Sequence, residues 1–201
     1  MQTSTDTRGR ATDQKPVTVA PTGDSRARLI AYWATTFVIL CELLAGAAWD
    51  LFTIDWMEDQ LDHLGYPGYF AYILGVCHVA AAITIAVPGF GLVKEWAYAG
   101  VCFMWAGAAV SYLALGEAPV SWAPPLMFLA FAVASWALRP ADRRIGGQAT
   151  ANRPRTDVRQ WAASIGLLVV LSAISLLTLP VTADMTSDWA VERGWIDEQR
   201  P

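Results

Sequence analysis

Asp62-His63-Leu64-Gly65-Tyr66-Pro67-Gly68-Tyr69 opens an apolar run, and Pro88-Gly89-Phe90-Gly91-Leu92-Val93-Lys94-Glu95-Trp96 closes it. The first stretch is an acidic, aromatic turn. The second is a Pro-Gly turn followed by a single Lys-Glu pair, after which a further apolar run returns as far as Leu115. About 20 mainly apolar residues cross the hydrocarbon core of a bilayer as a helix. Tyr69–Pro88 and Trp96–Leu115 therefore read as two membrane-spanning helices, and so short a connection makes them antiparallel neighbours. Gly107 and Ser111 form a small-x-x-x-small step on the later helix, which predicts a close helix contact there.

The other long apolar runs fit around this hairpin. Leu29–Trp49 is a first span with Glu42 as its one ionisable interruption. Residues 50–68 carry Asp50, Asp55, Glu58, Asp59 and Asp62, while Leu51, Ile54, Met57, Leu61 and Leu64 recur at three- and four-residue steps. That pattern is one face of a short amphipathic helix lying along the membrane surface. Val120–Leu138 is a fourth span, with Pro124 and Pro125 in its first turns, where a missing amide proton is tolerated. Trp161–Pro180 is a fifth, and a short helix is expected around Thr186–Arg193, with Trp189 and Trp195 as interface anchors.

The chain thus divides into a disordered cytoplasmic tail over 1–28, a four-helix membrane domain over 29–144 and a cytoplasmic linker over 145–160. A fifth transmembrane helix over 161–180 and an extracytoplasmic acidic tail over 181–201 follow. A secretory leader is the rival reading of the N-terminus; a leader of 28 residues and the Glu42 inside the apolar run argue against it. With the N-terminus inside, twelve Lys and Arg residues fall on the cytoplasmic side, and only Arg193 and Arg200 fall outside. The positive-inside rule selects that orientation, and five spans put the C-terminus outside.

Composition agrees. Hydrophobic residues make up 55% of the 201 and charged residues 16%, whereas charged residues are about a quarter of a soluble domain. A formal charge of -4 argues against a nucleic-acid binder. Cys41, Cys77 and Cys102 are widely spaced inside apolar runs and form no zinc or dithiol motif.

His63-Leu64-Gly65-Tyr66-Pro67 with Tyr69-Phe70, then Ile73-Leu74-Gly75-Val76, Pro88-Gly89-Phe90, Lys94-Glu95-Trp96-Ala97-Tyr98-Ala99-Gly100 and Ala134-Ser135-Trp136-Ala137-Leu138-Arg139-Pro140 together resemble the DoxX-like family. The resemblance extends over residues 30–144. It implies an all-α membrane protein, an antiparallel four-helix bundle of the bacterial inner membrane with an extracytoplasmic acidic loop. The family name comes from a subunit of a thiosulfate:quinone oxidoreductase, and some relatives are linked to membrane redox complexes. The fifth span and the acidic tail lie outside the family's usual extent.

Four polar side chains sit at membrane depth: Glu42, His78, Ser111 and Tyr112. Ionisable groups there are costly and mark functional candidates. One reading is a polar ligand pocket opening outward, covered by residues 51–64. In it Glu42 and His78 exchange a proton with a quinone head group and Tyr112 bonds its carbonyl, since His changes charge near neutral pH. The plainer reading is a Glu42–His78 hydrogen bond that holds two helices together. Lys94, Glu95 and Trp96 read as lipid and interface anchors, with Lys94 reaching lipid phosphate. The acidic cluster lacks the spacing of a calcium loop, and no phosphate loop, catalytic triad, haem motif or metal site marks a self-contained enzyme. No cofactor motif is evident, and a quinone is the group this chemistry fits. The resulting expectation is a small subunit or accessory factor of a quinone- or thiol-linked redox system, with the lipid bilayer around it and membrane redox proteins as partners. A binding or transport protein for a small apolar molecule is the alternative, and a non-catalytic structural membrane partner is another.

Overall fold

A computed structural model of the chain describes residues 23–140, residue 143 and residues 158–192, with side chains described over 26–140, at 143 and over 158–185. Six helices lie within these residues: α1 (Gly23–Leu51), α2 (Asp55–His63), α3 (Tyr69–Ala86), α4 (Gly91–Ala114), α5 (Pro119–Leu138) and α6 (Val158–Glu192). All but α2 are long and apolar enough to cross a membrane. The expected tail over 1–22, linker over 145–157 and residues 193–201, Trp195 among them, lie outside the described residues. Residues 23–28 are already the first turns of α1, so the first helix starts before the expected Leu29.

The helix ends follow from local chemistry. Asp55 and Glu58 occupy the first turn of α2, where a helix favours negative charge. At its other end Gly65 takes φ 79; its amide donates to Asp62 O at 2.9 Å, and that of Tyr66 donates to Leu61 O at 2.8 Å. Gly116, with φ 73, ends α4 by the same paired bonds, to Leu113 O and from Glu117 to Tyr112 O. A left-handed residue at this position satisfies the last carbonyls, and glycine adopts it without steric cost. Ile54 and Leu61 of the predicted amphipathic face are buried, whereas Leu51 belongs to α1 and is exposed.

Two boundaries differ from the sequence expectation. α4 starts at Gly91, so Lys94 and Glu95 sit about one turn into the helix and not in a loop. Helix α6 runs through Pro180 to Glu192, which absorbs the separate helix expected near Thr186. At the usual rise its 35 residues extend about 52 Å, well beyond the roughly 30 Å of a hydrocarbon core.

Helices α1, α3, α4 and α5 form a ring in chain order: α1 packs on α3 and α5, α4 packs on α5, and α3 meets α4 more lightly. Helix α6 lies outside the ring against α1 and also touches α2 and α3. The core combines Leu40 and Leu43 of α1, Ala82 and Ile85 of α3, Trp105 of α4 and Leu171 of α6.

The close helix approach is not where Gly107 and Ser111 predicted it. A Cβ on Gly100 or Gly107 would meet nothing within 4 Å, because both residues line an open groove of about 640 Å³ between α3 and α4. The tight contact is α1 against α3. There a Cβ on Gly75 would lie 2.7 Å from Leu51 Cγ, and one on Gly46 would lie 3.2 Å from the His78 ring.

Candidate functional site

Glu42, Gly46 and Asp50 recur every fourth residue of α1 and therefore share one face. Gly75 and His78 stand three apart on the facing side of α3. The two glycines bring the backbones together, and the imidazole packs against Gly46. His78 Nδ1 and Asp50 Oδ2 are 2.8 Å apart, with side-chain exposures of 12% and 1%. Glu42 lies within electrostatic reach of both. Asp50 Oδ1 is buried without a hydrogen-bond partner among the described residues. Two carboxylates thus lie near one imidazole across a buried helix interface.

This geometry revises the pairing drawn from sequence. His78 bonds Asp50, the first of the acidic residues assigned above to the surface segment, while no hydrogen bond joins Glu42 to His78 among the described residues. Asp50 is buried because α1 continues through Leu51 and turns it onto α3. The four-residue spacing from Glu42 was the signal in the sequence that placed it there.

Ser111 lies elsewhere. Ser111 Oγ is 2.8 Å from Tyr66 Oη and donates to Gly107 O, so it ties α4 to the segment after α2. Tyr112 is buried near the same end of α4. None of Glu42, His78, Ser111 and Tyr112 lines the α3–α4 groove. Its walls are apolar, from Leu61 and Leu64 near α2 through Phe70, Leu74 and Met104 to Trp96. His63 Nε2, 2.8 Å from Glu117 Oε1, fastens the end of α2 to the α4–α5 turn at the mouth of this groove.

The opposite end of the bundle gathers cations. Lys94, expected to reach lipid phosphate, is 1% exposed. Its ammonium turns inward and donates to the carbonyls of Thr84, Ile85 and Val87. The last carbonyls of a helix have no intrahelical partner; here a lysine one turn into the next helix supplies it. Glu95 accepts from Arg139 at 2.7 Å and from the Trp136 indole at 2.6 Å, so it joins α4 to α5. Of the three expected anchors only Trp96, 75% exposed, faces outward. Tyr98 and Thr36 share the Ser135 hydroxyl at 2.8 and 2.7 Å, and Arg28 reaches Ala137 O. Among the described residues no cluster of His, Cys, Asp and Glu is arranged to hold a metal ion.

Five membrane-length helices around a buried imidazole–carboxylate interface define a small multi-pass membrane protein. The profile of the DoxX-like family matches residues 34–135, just over half of the chain, covering α3, α4 and most of α1 and α5. The chain belongs to the DoxX-like family. No curated protein and no solved structure matches it.

Proposed function

We propose that this DoxX-like protein is a small accessory subunit of a membrane redox system in the cytoplasmic membrane of a bacterium. Its N-terminus is cytoplasmic and its C-terminus extracytoplasmic. In this reading Asp50, His78 and Glu42 hold a proton at membrane depth for a partner that carries the electrons. The observation that supports it is the second carboxylate together with the unpartnered Asp50 Oδ1. A purely structural bond to His78 needs one acceptor, whereas a proton-holding site needs alternative places for the proton. The orientation rests on the gathering of Arg28, Lys94, Arg139 and Arg143 at one end and of the α2 acids at the other.

A quinone fits this chain only in part. The α3–α4 groove suits an apolar tail, and the Tyr66–Ser111 hydroxyl pair near its mouth suits a carbonyl. The ionisable trio lies on the opposite, α1-facing side of α3, so no proton step from His78 to a group in the groove is drawn. The test is mild-detergent purification from native membranes followed by mass spectrometry of extracted lipid. About one quinone per chain, lost when Gly100→Trp blocks the groove, is the expected result. Bulk phospholipid alone, with no redox protein retained, would refute the redox role. The groove also favours a second reading, binding or transport of a small apolar molecule, which uptake into proteoliposomes would distinguish.

A further inference from the structure

A second cavity, of about 350 Å³, lies between the start of α1, the start of α6 and the residues after α5. We propose that it binds the phosphate of one anionic phospholipid, with Arg143 as the ligand for the head group. Arg143 lines the cavity, yet it is only 8% exposed. Its NH1 donates to Tyr32 Oη at 3.2 Å and more weakly to Ile85 O at 3.4 Å, while Trp33 stacks 4.9 Å from the guanidinium carbon. Among the described residues, the other guanidinium nitrogens have no hydrogen-bond partner and no carboxylate pairs with Arg143. A guanidinium offers a planar fork of donors that matches phosphate, and a fork held by an aromatic face and a tyrosine is already oriented.

The charge balance points the same way. Lys94 and Arg143 both donate to the Ile85 carbonyl, so two buried cations converge on the end of α3. Arg139 adds a third positive charge at this end, and Glu95 is occupied by it. The end of α3 contributes only roughly half a negative charge through its aligned peptides. Among the described residues these cations lack full compensation, which is costly for buried charge, and an anion in the adjoining cavity supplies it. Ser164 already donates to Ala86 O at 2.9 Å and Gln160 adds a polar group to the wall.

The rest of the cavity selects a lipid over a free anion. Leu29, Trp33 and Leu167 form its apolar side, and Leu29 and Trp33 are 46% and 39% exposed. They sit in the first turns of membrane-length helices, where a phosphate and the top of an acyl chain lie side by side. Basic pockets between helices at a membrane face bind anionic head groups in this way.

The full chain in mild detergent is titrated with phosphatidylglycerol, phosphatidylcholine or inorganic phosphate and read by native mass spectrometry. One phosphatidylglycerol per chain, held at least tenfold more tightly than phosphatidylcholine, is expected. Arg143→Gln and Ala163→Trp should each weaken it at least tenfold. Ala163 is exposed on the cavity wall, so its replacement fills the space while leaving Arg143 and its bonds in place, which covers the case in which Arg143→Gln fails to fold. Equal retention of the two lipids, or undiminished retention in folded Ala163→Trp, would overturn the proposal. Inorganic phosphate binding as tightly as the lipid would overturn it too, by showing that the anion is a free one.

Discussion

Gly75→Ala tests whether the contact between α1 and α3 sets the geometry of the ionisable trio. The added Cβ would lie 2.7 Å from Leu51 Cγ and 3.1 Å from Asp50 Cβ. Carbon atoms pack at about 3.5–4.0 Å, so the interface must open by roughly 0.5–1 Å even if Leu51 rotates away. An opening of that size takes the 2.8 Å contact between His78 and Asp50 to about 3.3–3.8 Å, at or beyond hydrogen-bond range. Overpacking costs about 1–3 kcal/mol, and alanine returns about 1 kcal/mol of helix propensity. The net loss of stability is therefore small, about 0–2 kcal/mol by the same two terms. The decisive readout is the imidazole itself. The chain has two histidines, so ¹⁵N-labelled protein carrying His63→Gln reports on His78 alone. Gly75→Ala should abolish the nitrogen shift of a hydrogen-bonded Nδ1, whereas Gly107→Ala, with nothing within 4 Å of its Cβ, should leave it unchanged. An unchanged His78 signal in folded Gly75→Ala would refute the reasoning.

Other substitutions probe the two ends of the bundle. Asp50→Leu leaves the buried His78 Nδ1 without its hydrogen-bond partner and should cost about 1–3 kcal/mol, read as a fall in the detergent melting temperature. Asp50→Asn keeps a hydrogen-bond acceptor for His78 and should cost less than half as much. Lys94→Met leaves the Thr84 and Val87 carbonyls without their donor, while Ile85 keeps Arg143; at about 1–3 kcal/mol per orphaned group, less the relief of a buried ammonium, a clear loss in melting temperature is expected. Glu117→Gln should change stability by under about 1 kcal/mol, because a partly exposed pair contributes little, read as a nearly unchanged melting temperature. A reporter fused after Pro201 that fluoresces only in the cytoplasm should stay dark, and bright cells would overturn the five-span orientation.

The hairpin from Asp62 to Gly100 shows why the membrane architecture is legible in the chain. A span needs about 20 apolar residues whatever it packs against, so length and hydropathy locate five helices before any contact is known. Turn chemistry is equally local, and the glycines at 65, 89 and 116 mark three helix ends through their own backbone conformations. Pro180 misled for the opposite reason, since a proline stops many helices but is carried within this one.

The site was legible only as an inventory. Glu42 and His78 stood out as ionisable residues at membrane depth, because the cost of charge in lipid is independent of fold. Which of their neighbours they meet depends on the rotation and separation of two helices. Asp50 passed for a surface acid, yet the two further residues of α1 and the close approach allowed by Gly46 and Gly75 bring it onto His78. Lys94 passed for a lipid anchor until the start of α4 placed it against the open carbonyls of α3. By itself the sequence determined the number and order of the spans, because the bilayer is a solvent with a fixed thickness. Tertiary structure decided which polar groups pair and where grooves remain, because those depend on packing distances of a few tenths of an ångström between residues far apart in the chain.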